Sequence, residues 1–303
     1  MLNIQILLSM VFSKLVETFF SDPLARNIAT SWLIIMLGVS LLCFITSEIT
    51  RNYSQVDKLW SLLPAVYGII AVCKAPTLRS FVMLTLVIAW GLRLSYNFMR
   101  KGGYNIVPWR GEEDYRWKIM RDNPVLKGRL RFGLFNLLFI SFYQNFLIML
   151  FCVPFLMAAG NKQAAFNSID ILAATLMAGS VVLEAIADNQ LFRFHTSKRS
   201  GQADSRYALS LSRGFICEGL WRKIRHPNYL GEQATWISFY LFGVAASGKL
   251  INPGIAGAIL LMLLFLGSST LTERISSSKY PAYKEYMKVA GRFFPRIKTL
   301  AGN

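Results

Sequence analysis

The sequence predicts an all-α integral membrane protein of about seven transmembrane helices with structured cytoplasmic loops. Three observations predict it. Apolar residues make up 54% of the 303 residues, with Phe at 22 copies, more apolar surface than a soluble domain of this length needs. Apolar runs recur at close to the ~20 residues that cross a bilayer as a helix. The basic residues collect in alternate gaps between those runs, as membrane flanks do.

Residues 1–20 are apolar but interrupted by Lys14 and Glu17. With no basic start and no small-residue cleavage site, they read as an interfacial helix or extra span, not a cleaved leader. Residues 1–29 are therefore an N-terminal segment, and 30–303 a single domain. The expected spans are 30–48, 60–73, 78–98, 133–158, 169–191, 229–247 and 254–271. The second is short unless it extends through Lys58 and Trp60. Two long connections, 99–132 and 192–228, are rich in aromatic and charged residues, and structured loops of that length are usually functional.

The gaps after spans one, three, five and seven, with the tail, hold 26 of the 33 Lys and Arg. The positive-inside rule then places the N-terminus outside or in a lumen and the C-terminus in the cytoplasm. That topology fits the endoplasmic reticulum of a eukaryote or the inner membrane of a bacterium. The net charge of +17 is spread over four segments without a nucleic-acid motif. Membrane lipids, through anionic headgroups, are the expected partners, and nucleic acid is not.

Cys43, Cys73 and Cys152 fall in expected spans and Cys217 in a loop, with no metal spacing and no disulfide framework. His195 and His226 are the only histidines, so no metal site is expected. The Asn52-Tyr53-Ser54 sequon lies on the cytoplasmic side and is read as chance. No dinucleotide fingerprint, Walker loop, HExxH, CxxC or nucleophile elbow is present.

The polar residues inside the spans carry the chemistry. In Arg225-His226-Pro227-Asn228-Tyr229-Leu230-Gly231-Glu232, Pro227 suits a helix start. Asn228 and Glu232 then share a helix face, with Trp236 a turn further on. Glu184 and Asp188 stand one turn apart in the fifth span, with Gln190 close behind. Either pair binds a polar ligand, or it snorkels or pairs with a base such as Arg93. Arg93 lies in the third span with Tyr96, Asn97 and Trp90, and needs a carboxylate or phosphate partner. Asp57, between spans one and two, either pairs with Lys58 or a loop, or keeps its proton in a partly desolvated site and acts as an acid. Tyr280, Tyr283 and Tyr286 of the tail read as interfacial anchors or as the wall of a cofactor pocket.

Taken together, Tyr53-Ser-x-Val-Asp57-x-x-Trp60-Ser, Gly102-Gly-Tyr, Glu112-Glu-Asp-Tyr-Arg-Trp117, Glu184-x-x-x-Asp188-x-Gln190, Arg225-His-Pro-Asn-Tyr-x-Gly-Glu232 and Tyr280-x-x-Tyr283 before Pro295 resemble the steroid 5-alpha-reductase-like family. The resemblance covers about residues 45–298. It is to the branch described as a domain of unknown function, DUF1295, and the Asn-Tyr-x-Gly-Glu core is shared with sterol C14- and C24-reductases. A shorter Arg-His-Pro-x-Tyr pattern also occurs in isoprenylcysteine and phospholipid methyltransferases.

The resemblance implies seven helices around an NADPH site open to the cytoplasm, with a lipid-like enone entering from the bilayer. It implies that Asn228 and Glu232 hold cofactor, that Glu184 and Asp188 stand where steroid reductases carry Asn and Asp, and that Tyr280 is the late cofactor-binding tyrosine. Gln55 and Asp57 are the approximate counterparts of the substrate-side Gln-Glu pair, and Tyr96 of the catalytic tyrosine.

The expected function is therefore NADPH-dependent reduction of a conjugated C=C bond in a steroid-, sterol- or fatty-enone-like substrate. Asp57 or Tyr96 would be the acid, Asn228, Glu232, Glu184, Asp188, Tyr280 and Arg93 the cofactor site, and Arg225 the first choice for its phosphates. The alternatives are an S-adenosylmethionine-dependent membrane methyltransferase and a non-catalytic lipid-binding protein.

Overall fold

The computed structural model describes residues 22–107, 109–201 and 204–296. The question of whether residues 1–20 span the membrane lies outside them, as does the C-terminal end. Every regular element among the described residues is helical. The exception to helix and turn is an isolated parallel bridge between Ile224 and Gly291.

The chain divides into two compact units. The first holds Met1–Thr175 with Ile237–Leu260, the second Leu176–Trp236 with Leu261–Asn303.

Helix α1, Pro23–Thr50, starts where the Asp22 side chain accepts from the Ala25 N–H and Pro23 occupies the first turn, a position that needs no donor. It ends at Arg51, whose φ of 57° is left-handed. The single turn α2, Gln55–Leu59, leads into α3, Leu63–Lys74. Helix α4, Leu78–Met99, opens on a reciprocal capping box between Thr77 and Ser80. Trp32 of α1 donates to the Tyr67 carbonyl of α3 at 3.1 Å, and their rings lie 5.1 Å apart. Asp170, in the first turn of the helix Ser168–Ser200, accepts two 2.8 Å bonds from Arg79, which also caps the Ala164 and Ala165 carbonyls.

After α5, Tyr115–Asp122, comes α6, the apolar stretch Arg129–Gly160. It widens to a π-helix over Asn136–Tyr143. In that geometry residues five apart align, and Ser141 donates to Asn136 at 3.3 Å. Phe135, Phe139 and Tyr143 stack successively at 5.1 and 5.3 Å. Pro154 then restarts the helix after Cys152, since proline cannot continue the preceding bonds.

Helix α7 is Ser168–Ser200. The short α8, Ala208–Arg213, and a 3₁₀ turn, Gly219–Arg222, follow. Helix α9 is Pro227–Ser247, α10 is Ile255–Lys279 and α11 is Tyr283–Val289.

All seven expected apolar runs are helical, but five helices among the described residues are long and apolar enough to cross a membrane: α1, α4, α6, α7 and α10. Helix α3 is short, at 12 residues. Helix α9 has the length, but Asn228, Glu232, Gln233 and Thr235 crowd its first half. The outward faces of the long helices are apolar, as at Ile34, Leu42 and Leu92, which suits contact with lipid.

Candidate functional site

In the second unit, α7 and α9 meet at Gly231. A Cβ there would lie 2.3 Å from the Glu184 Cγ and 3.2 Å from the Ser180 carbonyl oxygen. Only glycine lets the two helices approach so closely. The contact runs antiparallel: one turn back on α9, the Asn228 amide makes a long 3.5 Å bond to Asp188 Oδ1, one turn on along α7. One turn forward, Trp236 donates to Glu232 Oε1 at 3.2 Å.

The structure therefore brings Glu184, Asp188, Asn228 and Glu232 to one place. Glu184 is 0% exposed, Asp188 3% and Glu232 6%. The buried Oδ1 of Asn228 has no hydrogen-bond partner. Three carboxyls and an amide oxygen make a site rich in acceptors. Such a site suits N–H and O–H donors, for example an amide or ribose hydroxyls. It does not suit phosphate.

Arg225, the expected phosphate ligand, has another role here. It is buried, and its Nε donates to Glu273 Oε1 at 2.7 Å while Nη1 caps the Met287 and Ala290 carbonyls. His226 Nε2 reaches the same Glu273 oxygen at 3.1 Å, and Arg292 binds the other at 3.0 Å. Burial pushes the His226 imidazole below its ordinary value despite the Glu273 carboxylate, so near neutral pH it is an uncharged donor. The backbones of Lys223, Arg225 and His226 pair with Gly291 and Arg292. Glu273 thus fastens the tail to the loop that leads into α9.

Tyr280 is partly buried, with its ring 5.8 Å from Phe215 and its hydroxyl accepting from Lys198 at 3.0 Å. Lys198 and Lys279 also flank its ring at 4.9 and 5.5 Å. Burial raises the phenol, but hydrogen bonding and charge from the two lysines outweigh it and lower it. The neighbouring Gly214 has φ 82°, and a Cβ there would meet the Tyr280 ring at 2.7 Å. Tyr283 and Tyr286 are instead buried with Phe215, Cys217 and Ala290.

In the first unit, Asp57 is partly buried and accepts from Trp117 Nε1 at 2.9 Å. Burial, then the neighbouring Asp114, pushes its carboxyl up, against Arg116 and the bonds from Trp117 and Ser54. The segment around it is tied to the loop 102–121 throughout. Asn52 donates to the Gly111 carbonyl, Gln55 to that of Trp109 and Lys58 to that of Arg110, while Glu113 accepts from the Tyr53 N–H.

The expected pairing of Asp57 with a loop is thus present, with Trp117 as the partner. Tyr96 points outward, 57% exposed, with the Arg100 guanidinium 5.4 Å over its ring. Tyr104 is the tyrosine that meets this segment, through the Lys58 carbonyl at 2.8 Å. Arg93 is partly buried on α4, in this first unit.

The sequence assigns no role to Glu273, which stands among the polar residues of the tail, or to Lys198. Nothing in their spacing marks them, because their partners come from distant segments. Trp117 was legible as part of an aromatic, charged loop and of the Glu112-Glu-Asp-Tyr-Arg-Trp117 element, without its bond to Asp57.

A family model described as "Protein of unknown function (DUF1295)" matches residues 43–290. The chain is also similar to an uncharacterized protein of Schizosaccharomyces pombe, 38% identical over 262 residues, which cover 82% of this chain and 74% of that protein. No solved structure matches the chain.

Proposed function

The chain belongs to the DUF1295 family, in the steroid 5-alpha-reductase-like group, and from that premise we propose that it is a membrane reductase. It would use NADPH to reduce a conjugated C=C bond of a hydrophobic, enone-like lipid. The observation that carries this reading is the buried, acceptor-rich set of Asn228, Glu232, Glu184 and Asp188, with an unpartnered amide oxygen on Asn228. Its donor-seeking chemistry fits the carboxamide and ribose of a nicotinamide nucleotide.

Those four residues would hold that end of the cofactor. Lys198, Tyr280 and Lys279 would hold its phosphates, since Arg225 is committed to Glu273. The Tyr280 hydroxyl accepts from Lys198, which leaves its own proton to donate, and two ammonium groups add the charge that phosphate needs. When bound, the nucleotide supplies the hydride. Asp57, in the first unit, is the candidate proton donor by its chemistry alone: burial and Asp114 raise its carboxyl, the direction a general acid needs. Trp117 donates to one Asp57 oxygen. Tyr96, exposed and under Arg100, is set aside for that role.

Calorimetry of the purified full chain in detergent, titrated separately with NADPH, NADH and S-adenosylmethionine, tests this. NADPH is expected to bind most tightly, because the lysine-flanked tyrosine favours the extra 2′-phosphate. Binding of S-adenosylmethionine without NADPH would replace the reading by a methyltransferase.

A further inference from the structure

We propose that Thr235 is a ligand-binding residue of the α9 site, and that its hydroxyl bonds the carboxamide of a bound nicotinamide nucleotide. The proposal rests on the reductase reading for the identity of the ligand, and on geometry for the residue.

In a helix, a threonine hydroxyl ordinarily donates to the carbonyl four residues back. Thr30, Thr50, Thr85, Thr175, Thr196 and Thr270 all do so in this chain, at 2.6–3.0 Å. Thr235 does not. It is 0% exposed, and its Oγ1 has no hydrogen-bond partner. A buried hydroxyl without a partner is costly, and a local bond of this kind was available to it in principle. Its position explains the departure. Asn228, Glu232 and Thr235 stand at i, i+4 and i+7, which puts them on one narrow stripe of α9. The Asn228 Oδ1 on that stripe is likewise buried without a partner. Two orphaned polar atoms, about 10 Å apart along the axis at 1.5 Å per residue, flank the Glu232 carboxylate.

The order of groups along the stripe selects a ligand. Asn228 gives its N–H to Asp188 and so offers an acceptor. Glu232 offers acceptors as well. Thr235 adds the one hydroxyl donor of the stripe. A molecule that gives donors to the first two positions and an acceptor to the third fits. A carboxamide does this across Glu232 and Thr235, its NH₂ toward the carboxylate and its C=O toward the hydroxyl. The ribose hydroxyls then fall at Asn228. Thr235 would then fix the rotation of the amide by its hydroxyl, with Asn228 offering its acceptor to the sugar.

The test uses the full chain in detergent, with Thr235→Val, which keeps the shape and removes the hydroxyl, and Thr235→Ser, which keeps the hydroxyl. Two probes are titrated: NADPH, and 2′,5′-ADP, which lacks the nicotinamide. Thr235→Val is expected to weaken NADPH about tenfold, the effect of one hydrogen bond, and to leave 2′,5′-ADP unchanged. Thr235→Ser is expected to stay close to wild type. The ligand-free melting temperature of Thr235→Val should hold or rise, because an unsatisfied hydroxyl has been removed. Unchanged NADPH affinity in Thr235→Val overturns the proposal, and so does an equal loss of 2′,5′-ADP. A clear fall in its ligand-free melting temperature also overturns it, since the hydroxyl then has a partner within the protein. If wild type binds neither probe, the reductase reading falls and the carboxamide assignment falls with it. The melting temperature then still decides whether the Thr235 hydroxyl is orphaned within the protein.

Discussion

Glu232 and Asp57 are both carboxyls in dry surroundings, yet they are assigned opposite tasks. Glu232 accepts, from Trp236 in the free protein and from ligand in the proposed complex. Glu232→Gln keeps the shape and replaces one acceptor by a donor. The loss of a charge-assisted bond of ~1–3 kcal/mol should weaken NADPH about ten- to hundredfold by calorimetry. The ligand-free melting temperature should hold or rise, because a buried charge is gone.

Asp57 is assigned to donate. Its folded carboxyl is held above the ordinary value by burial and by Asp114, so the protonated form is the one favoured by folding. That contribution is fully present below the ordinary carboxylate value and is lost as pH rises through the raised one. Asp57→Asn should flatten the alkaline side of the stability profile over that window, with Trp117 still bonded to the amide oxygen. Turnover of an enone substrate should fall by a factor on the order of 10²–10⁴, the usual effect of losing a general acid.

The residues that sequence alone made legible, Asn228, Glu232, Glu184 and Asp188, share a property: each pair is local, one helical turn apart. The bond of Arg225 to Glu273 was not legible, because the two lie 48 positions apart and no spacing rule reaches that far. Thr235 escaped notice because a threonine in a helix is ordinary until its hydroxyl is seen to lack the ordinary bond.

Helix α9 is placed by two devices, one at its start and one in its second turn. At the start, Glu273 binds Arg225, His226 and Arg292. Glu273→Gln leaves two buried or half-buried guanidinium groups without their counter-charge, a loss of about 3–5 kcal/mol for a broken buried pair. A clear drop in melting temperature and early proteolytic release of the tail are expected. Glu285→Gln, which breaks only the exposed pair with Lys288, should leave both unchanged.

In the second turn, Gly231→Ala drives a methyl group into Glu184. Overpacking of this kind costs about 1–3 kcal/mol, and the displaced Glu184 should weaken NADPH beyond what the stability loss explains. The long helices were legible from apolar runs, but α1 begins seven residues before its run, and α7 and α10 continue nine and eight residues past theirs. The π-helical stretch of α6 was not. It depends on the buried Asn136 reaching Ser47 and Glu48 of α1, a tertiary contact with no signature in composition.

For the molecule as a whole, the distribution of Lys and Arg argues a sidedness that reporters can read. A fusion at Asn303 is expected in the cytoplasm, and one at Asn161, just past the end of α6, outside or in the lumen. Opposite sides for the loops 99–132 and 192–228 would contradict the arrangement. The polar first half of α9 bears on how such a chain is made. Polar and acidic residues near the middle of a segment oppose its transfer from the translocon into lipid by up to ~3 kcal/mol each. As α9 leaves the ribosome it is therefore a poor substrate for insertion, and α7, already threaded, offers the surface around Gly231 against which it can settle. Nascent chains stopped after Ser247 should leave α9 accessible to water-soluble thiol reagents at an introduced cysteine. Chains that continue through α10 should protect it, so that the residues assigned to the ligand also delay the biogenesis of the protein that binds it.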